Sequence, residues 1–217
     1  YHSTQFHRPR PVSAAPMILC LGATPAVQRV MRFHQVVTNS VNRAVATLEG
    51  AAGKSINVAK VLAALGEPAV AVGFLGGDRG RRLREHLRPL AITLDFVEVG
   101  ARTRECVTIL DESAGTVTEL VEESLPVPAQ AYAELETMVT RRLPGCAALV
   151  LSGSLTPGGP VDFYLRQCRL ARETGTLCVV DAHGPSLAAA LTAGPDVVKP
   201  NRAELAAMWK KTRQATL

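Results

Sequence analysis

Two kinds of hydrophobic pattern alternate along this chain. Short, continuously apolar runs predict buried strands, and apolar stripes at helical spacing follow them. Met17-Ile18-Leu19-Cys20-Leu21-Gly22 is the first such run, and Ala23-Thr24-Pro25-Ala26 turns away from it. Residues 30–33 and 45–48 predict short strands on either side of a polar loop at 38–42. The stretch 49–66 then reads as a flexible Gly/Ala turn opening directly into a helix. Lys54, Ser55 and Asn57 crowd its first turn, Ile56, Ala59, Leu62 and Ala63 share one stripe, and Leu65 and Gly66 close it. Residues 69–75 are the next buried strand, which completes a strand–helix–strand unit, the mark of a parallel sheet.

A turn at 76–80 leads into an Arg-rich helix that Pro89 terminates. Three β-rich pieces come next, at 95–99, 106–110 and 116–121, with no helix between them. Such antiparallel material does not belong inside a doubly wound sheet. With 30–33 and 45–48 it is expected to form a small separate sheet, a lid over one edge of the core. After Pro126-Val127-Pro128 the alternation returns: helix 129–143, strand 147–151, a turn at 152–159 and a helix through 174. Strand 177–181, a short helix ending near Gly194, strand 197–199 and a helix over 201–209 complete the pattern. The expected fold class is α/β, a parallel sheet covered by helices. Ligands of such sheets bind outside the carboxyl ends of the strands. The loops at 23–24, 76–78, 152–154, 181–184 and 199–201 would therefore converge on one rim. Residues 1–16 are polar, basic and Pro-rich without periodicity, and read as a disordered N-terminal extension. The domain is expected over 17–209, with 210–217 as a polar tail.

Composition narrows this picture. The chain of 217 residues is 47% hydrophobic but only 4% aromatic, so its core must be built from Ala, Val and Leu. The net charge of +5 is concentrated in the first ten residues, in 79–88 and near the end. No aromatics are interleaved for base stacking, so the arginines of 79–88 read as a solvated helix face and no nucleic-acid partner is expected. Five cysteines are scattered without paired spacing, which excludes a disulfide or zinc framework and fits a reducing cytoplasm. No apolar run reaches membrane-spanning length and no signal-peptide pattern opens the chain, so a cytoplasmic location without membrane contact is expected.

Gly53-Lys54-Ser55 raises the question of a phosphate-binding loop. A helix start collects unpaired N–H groups and the positive end of the macrodipole, and small residues before it admit a ligand to the backbone. The motif G-x-x-x-x-G-K-[ST], however, needs a glycine where this chain has Leu48. An ordinary turn and helix cap would explain the stretch equally well. Asn201 alone could be a helix cap, and Ser152-Gly153-Ser154 an ordinary turn. Lys54 and Arg104 alone could be surface charges. His183 reads as an exposed loop residue, and Asp181 as a helix-capping or rim residue rather than a base.

Taken in order, these pieces form a larger pattern. Ala52-Gly53-Lys54-Ser55-Ile56-Asn57-Val58-Ala59, then Ala64-Leu65-Gly66, resembles the first signature of the PfkB (ribokinase-like) carbohydrate kinases. The similarity is to the branch of 1-phosphofructokinase and tagatose-6-phosphate kinase. Thr24-Pro25-Ala26, Gly73-Phe74-Leu75-Gly76-Gly77-Asp78, Thr103-Arg104, Leu151-Ser152-Gly153-Ser154-Leu155 and Val198-Lys199-Pro200-Asn201-Arg202-Ala203-Glu204-Leu205 extend it over residues 17–205. The resemblance implies a ribokinase-like parallel sheet with helices on both faces and a small β-sheet lid, represented by its N-terminal portion. It implies ATP and Mg²⁺ as cofactors, a sugar phosphate as substrate, and a homodimer formed through the lid.

The resemblance also implies roles. Gly53, Lys54 and Asn57 match positions that hold the sugar, and Asn57 can both donate and accept. Arg104 matches a lid arginine that would grip the phosphate already on the substrate. Ser152, Gly153 and Ser154 would add hydroxyl and backbone donors. Lys199, Asn201 and Glu204 would serve the nucleotide phosphates, with Glu204 reaching Mg²⁺ through water. The chain departs from the pattern at Gln28, where the family carries Asp; at Ala52 and Ser55, which replace glycines and are expected to narrow the approach to the backbone; and at Cys106, where Asn is usual. Gln28 can still hydrogen-bond a sugar hydroxyl. The family's Gly-Ala-Gly-Asp, whose Asp is the general base, occurs nowhere in the sequence. No catalytic base is therefore assigned, and the chain is expected to be inactive by itself. The alternatives are a degenerate fold that binds a sugar phosphate without transferring phosphate, and a P-loop nucleotide-binding protein.

Overall fold

The computed structural model describes residues 16–202 and 204–206. Its central layer is a six-stranded sheet in the order β10-β9-β8-β1-β4-β5. The strands are β1 (Met17–Gly22), β4 (Ala69–Leu75), β5 (Ile92–Glu98), β8 (Cys146–Ser152), β9 (Leu177–Asp181) and β10 (Val197–Val198), and every pairing is parallel. All seven residues of β4 are buried, the expected signature of a strand covered on both faces. One face carries α3 (Ala129–Arg142), α4 (Phe163–Glu173) and α5 (Gly184–Leu191), which pack Leu135, Val139, Cys168, Leu187 and Ala190 against Leu19, Leu149 and Val180. The other carries α1 (Lys54–Ala64) and α2 (Gly77–Leu87), which place Ile56, Ala59, Leu83 and Leu87 against Cys20, Ala71 and Phe96. The sparse aromatics are concentrated: Phe74, Tyr132 and Phe163 stack edge-on at 4.9 and 5.1 Å between ring centroids.

A second sheet of four strands, in the order β3-β2-β6-β7, lies beside the first. It consists of β2 (Ala26–Phe33), β3 (Ala46–Ala52), β6 (Arg104–Asp111) and β7 (Thr116–Val121). This is the lid, and it corrects three expectations. Residues 95–99 are not part of it: β5 is the edge strand of the central sheet, paired in parallel with β4 from Ala69↔Ile92 to Leu75↔Glu98. The lid is not wholly antiparallel either, because β2 runs parallel to β6. Finally, Gly50-Ala51-Ala52 is not a flexible turn but the end of β3, held antiparallel to β2 through Ala26↔Ala52. The turn is confined to Gly53, at φ 113°, a conformation that glycine tolerates.

The arginines of α2 form a solvated face only in part: Arg81 is exposed, whereas Arg79 and Arg82 reach acids of the lid. Arg79 pairs with Glu105 at 2.9 Å and with Glu122 at 2.6 Å, and its side chain is only 14% exposed. Arg82 pairs with Glu49, which also receives Arg29 at 3.2 Å and His86 at 3.2 Å. The basic stripe of the helix thus docks the acidic underside of the lid. The expected last helix is described only in part: Arg202 and residues 204–206 are helical, and residues 1–15 of the expected extension at 1–16 and the polar tail at 210–217 lie outside the described residues. Among the described residues no helix is long and apolar enough to cross a membrane.

Candidate active site

Strands β1, β4, β8, β9 and β10 all run in one direction, so their carboxyl ends share one rim. The lid rises beside it. Strand alternation puts Ala26 and Gln28 on one face of β2, and their register partners Arg104 and Cys106 on the same face of β6, with Thr108 two residues on. Gln28 Nε2 donates to Thr108 Oγ1 at 2.7 Å. Gln28, Thr108 and Ala52 line a groove of about 410 Å³ together with Asn57, from the first turn of α1. That volume lies within the usual range for small-molecule sites.

Arg104 lines a neighbouring cleft with Thr24, Pro25, Thr103 and Ser124 rather than the groove itself. Its Nε and Nη2 donate to the Thr24 carbonyl at 3.3 and 3.1 Å, and Nη1 donates to the Glu122 carbonyl at 3.4 Å. The guanidinium is therefore oriented by backbone oxygens and has no carboxylate partner among the described residues. Thr24 and Pro25 join the two regions. A Cβ on Gly53 would stand 2.9 Å from Pro25 Cα, so the first turn of α1 can approach that loop only through a glycine. The start of α1 has no side-chain cap and no acidic residue in its first turn, which leaves its N–H groups and positive dipole end open.

Lys54 points across the rim. Its Nζ meets Asp181 Oδ1 at 2.9 Å, and Lys199 Nζ meets Asp181 Oδ2 at 3.3 Å. Asp181 is a buried polar residue at the end of β9, in register with Ser152, and its carbonyl accepts the Gly153 N–H at 2.9 Å. It caps no helix: the residue preceding α5 is His183, which makes no side-chain cap bond.

The loop after β8 presents fewer donors than expected. The Ser152 hydroxyl is buried and has no hydrogen-bond partner among the described residues, and the Gly153 N–H is committed to Asp181. The Ser154 carbonyl accepts Thr24 Oγ1 at 3.3 Å. Two tyrosines that the sequence did not single out fix this loop. Tyr164 donates to the Ser152 and Gly153 carbonyls at 3.3 and 3.2 Å, and Tyr132 shares a 2.8 Å bond with Thr156 Oγ1. Burial pushes both phenols above their ordinary range, so both stay protonated. A chain with three tyrosines that spends two of them under one glycine-rich loop offers a compositional hint and nothing sharper.

Ser55 corrects another expectation. Its side chain is buried and faces Gly22: a Cβ on Gly22 would lie 2.3 Å from Ser55 Oγ. Ser55 therefore fills a notch in β1 and does not narrow the ligand's path, whereas Ala52 does line the groove. At the far end of the rim, Asn201 N–H donates to Glu204 Oε2 at 2.7 Å and Glu204 N–H donates to Asn201 Oδ1 at 2.8 Å. This reciprocal pair is a capping box, so the N-x-x-E stretch acts at least as a helix start. Among the described residues no cluster of three or more His, Cys, Asp or Glu is placed to hold a metal ion. One carboxylate beside an amide, Glu204 with Asn201, would suit a Mg²⁺–phosphate unit, because Mg²⁺ keeps several waters and takes few protein ligands.

Comparison with known proteins agrees with this arrangement. Residues 15–216 match the model of the pfkB family carbohydrate kinases. Tagatose-6-phosphate kinase of Staphylococcus epidermidis is 35% identical over 191 residues, covering 87% of this chain and 61% of the relative. The chain thus spans about three-fifths of the length of that curated relative. The phosphofructokinase-2 of Escherichia coli in complex with substrates and products superposes with a TM-score of 0.83 at 29% identity, over 91% of this chain and 64% of that one. The possible 1-phosphofructokinase of Thermotoga maritima gives 0.81 at 32% identity, over 85% and 60%. With the ribokinase-like sheet, its lid and a family match along nearly its whole length, the chain belongs to the pfkB family of carbohydrate kinases.

Proposed function

We propose that this chain forms the sugar-phosphate-binding part of an ATP-dependent kinase that phosphorylates a hydroxyl of a hexose phosphate, in the manner of the tagatose-6-phosphate and 1-phosphofructokinases. The observation that supports this most is the shared groove of Gln28 and Asn57, flanked by an Arg104 guanidinium that, among the described residues, backbone carbonyls alone hold. Neutral amides suit sugar hydroxyls, and a guanidinium fork suits phosphate oxygens. Gly53, Lys54 and Ser154 are proposed to contribute from beside the groove, with Ser152 and Gly153 as scaffold. Lys199, Asn201 and Glu204 are proposed to hold the phosphates of ATP and its Mg²⁺. ATP supplies the transferred group, and positioning with charge neutralisation supplies most of the catalysis in such reactions. A cytoplasmic setting fits the five free thiols. The exposed outer strand β7 leaves the lid open to a second copy of the chain.

The general base is assigned to none of these 217 residues, since the sequence holds no Gly-Ala-Gly-Asp. This 217-residue polypeptide is therefore expected to bind sugar phosphate without turning it over. A coupled assay with ATP, Mg²⁺ and fructose 1-phosphate or tagatose 6-phosphate tests this, and ADP formed in proportion to this polypeptide would contradict it. A second reading, a sugar-phosphate binder without kinase activity, is favoured by the amide that stands at Gln28 in place of a carboxylate. An in-frame Gly-Ala-Gly-Asp in the coding DNA beyond the Leu217 codon would decide for the kinase, and a stop codon there for the binder.

A further inference from the structure

Asp181 is the one acidic side chain seen between the two lysines of the rim, and it uses a different oxygen for each. Lys54 belongs to the first turn of α1, on the sugar side. Lys199 follows β10 and precedes the Asn201–Glu204 cap, on the nucleotide side. The carboxylate is nearly buried, its side chain 12% exposed, while the lysines are 43% and 68% exposed. The anchor is thus rigid and the two cations are the movable partners. The backbone of Asp181 is fixed as well, through the β8 register at Ser152 and the bond from Gly153 N–H. One negative charge shared by two positive ones leaves a net positive charge for an anionic ligand, and a ligand that takes one lysine leaves the carboxylate wholly to the other.

We propose that Asp181 is a positioning residue that couples the sugar-phosphate half of the rim to the nucleotide half through its two lysine partners. The inference rests on the functional reading above. Occupation of the sugar side draws Lys54 from Oδ1, and Lys199 then pairs more fully with Asp181. By linkage the coupling runs equally in the other direction. The magnitude is modest, because both lysines are partly solvated.

Amine-selective acetylation of the 217-residue chain, read lysine by lysine by mass spectrometry, tests this. An unrelated lysine-containing peptide added in constant amount is the reference in every arm, because Lys60 itself lines the groove. Without ligand, Asp181→Asn is expected to speed acetylation of both Lys54 and Lys199 about threefold relative to wild type. Asp181→Glu should restore part of the protection. Saturating tagatose 6-phosphate should slow acetylation at Lys54 by direct cover and at Lys199 by coupling; in Asp181→Asn only the Lys54 effect should remain. Rates at Lys54 and Lys199 that Asp181→Asn leaves unchanged would overturn the proposal. So would a Lys199 rate indifferent to ligand in the wild type, or equally responsive in Asp181→Asn. If no sugar phosphate protects Lys54 in the wild type, the functional reading fails, and the ligand-free arm still decides whether Asp181 holds both lysines. Circular dichroism melting of each variant separates these outcomes from misfolding.

Discussion

The side-chain amide of Gln28 donates to the hydroxyl of Thr108 at 2.7 Å, across paired strands of the lid. That bond engages the Nε2 end and leaves Oε1 as a neutral acceptor on a residue that lines the groove. Under the proposed function, Thr108 orients Gln28 towards a ligand in the groove that both residues line. Gln28→Ala should weaken tagatose 6-phosphate binding about fivefold, the loss of one ordinary hydrogen bond of ~1 kcal/mol. Thr108→Val should cost about threefold, by releasing the amide. The double variant should bind no worse than Gln28→Ala. Calorimetric titration of the three variants checks this, and additive losses would contradict it.

Arg104 and Arg102 are neighbours with opposite commitments. Arg102 forks onto Asp78 at 2.7 and 2.8 Å on the surface, while Arg104 is held only by carbonyls. Arg104→Lys keeps the charge but loses the planar fork and should weaken sugar-phosphate binding at least about tenfold. Arg102→Lys should change it less than about twofold. The same titrations read both.

The Asp78–Arg102 fork also predicts an acid response. Hydrogen bonding from Arg102 and its charge hold the Asp78 carboxyl well below the usual carboxylate range. A carboxyl depressed in the folded state contributes stability above its unfolded value, near pH 4, and loses that contribution as the pH falls through its folded value. The melting temperature of Asp78→Asn should lie below wild type at pH 6, and the two curves should converge towards pH 2. Thermal melts across that range give the comparison. A constant offset at every pH would show that the carboxylate is not responsible.

Gly22 and Ser55 make a steric pair. Gly22→Ala would press its Cβ against Ser55 Oγ at 2.3 Å and the Ser152 carbonyl at 2.8 Å, and should destabilise the fold by about 2–3 kcal/mol. Adding Ser55→Gly should recover part of that loss, since the Ser152 carbonyl remains. Ser55→Gly alone should leave sugar-phosphate affinity unchanged, because Ser55 faces the sheet. Denaturant titration measures the first two effects and calorimetry the third.

Much of the fold was legible along the chain because local pattern and long-range packing agreed. Residues 69–75 and 177–181 read as buried strands and are β4 and β9. The errors share a physical origin: the sequence of one strand does not name its partner. Residues 95–99 look like lid material because no helix separates them from β6, yet they pair with β4. Gly50-Ala51-Ala52 looks flexible, yet β2 holds it. The arginines of α2 look solvated because the acids that pair with two of them, Glu49, Glu105 and Glu122, lie far away in sequence. Gln28, Lys54, Asn57 and Arg104 were singled out through their motifs, and the fold sets Gln28 and Asn57 on one groove and Arg104 on the cleft beside it. Asp181 was noticed but read as a rim or capping residue, because its two lysine partners are joined to it only by the parallel sheet.

The central claim is that the groove and its flanking arginine bind a phosphorylated sugar. Isothermal titration of the 217-residue chain with tagatose 6-phosphate, fructose 1-phosphate and unphosphorylated tagatose tests it most directly. Saturable heat with at least one sugar phosphate, none with tagatose at the same concentrations, and loss of the signal in Arg104→Met are the predicted results. No heat with any sugar phosphate, or equal binding of tagatose, would contradict the account.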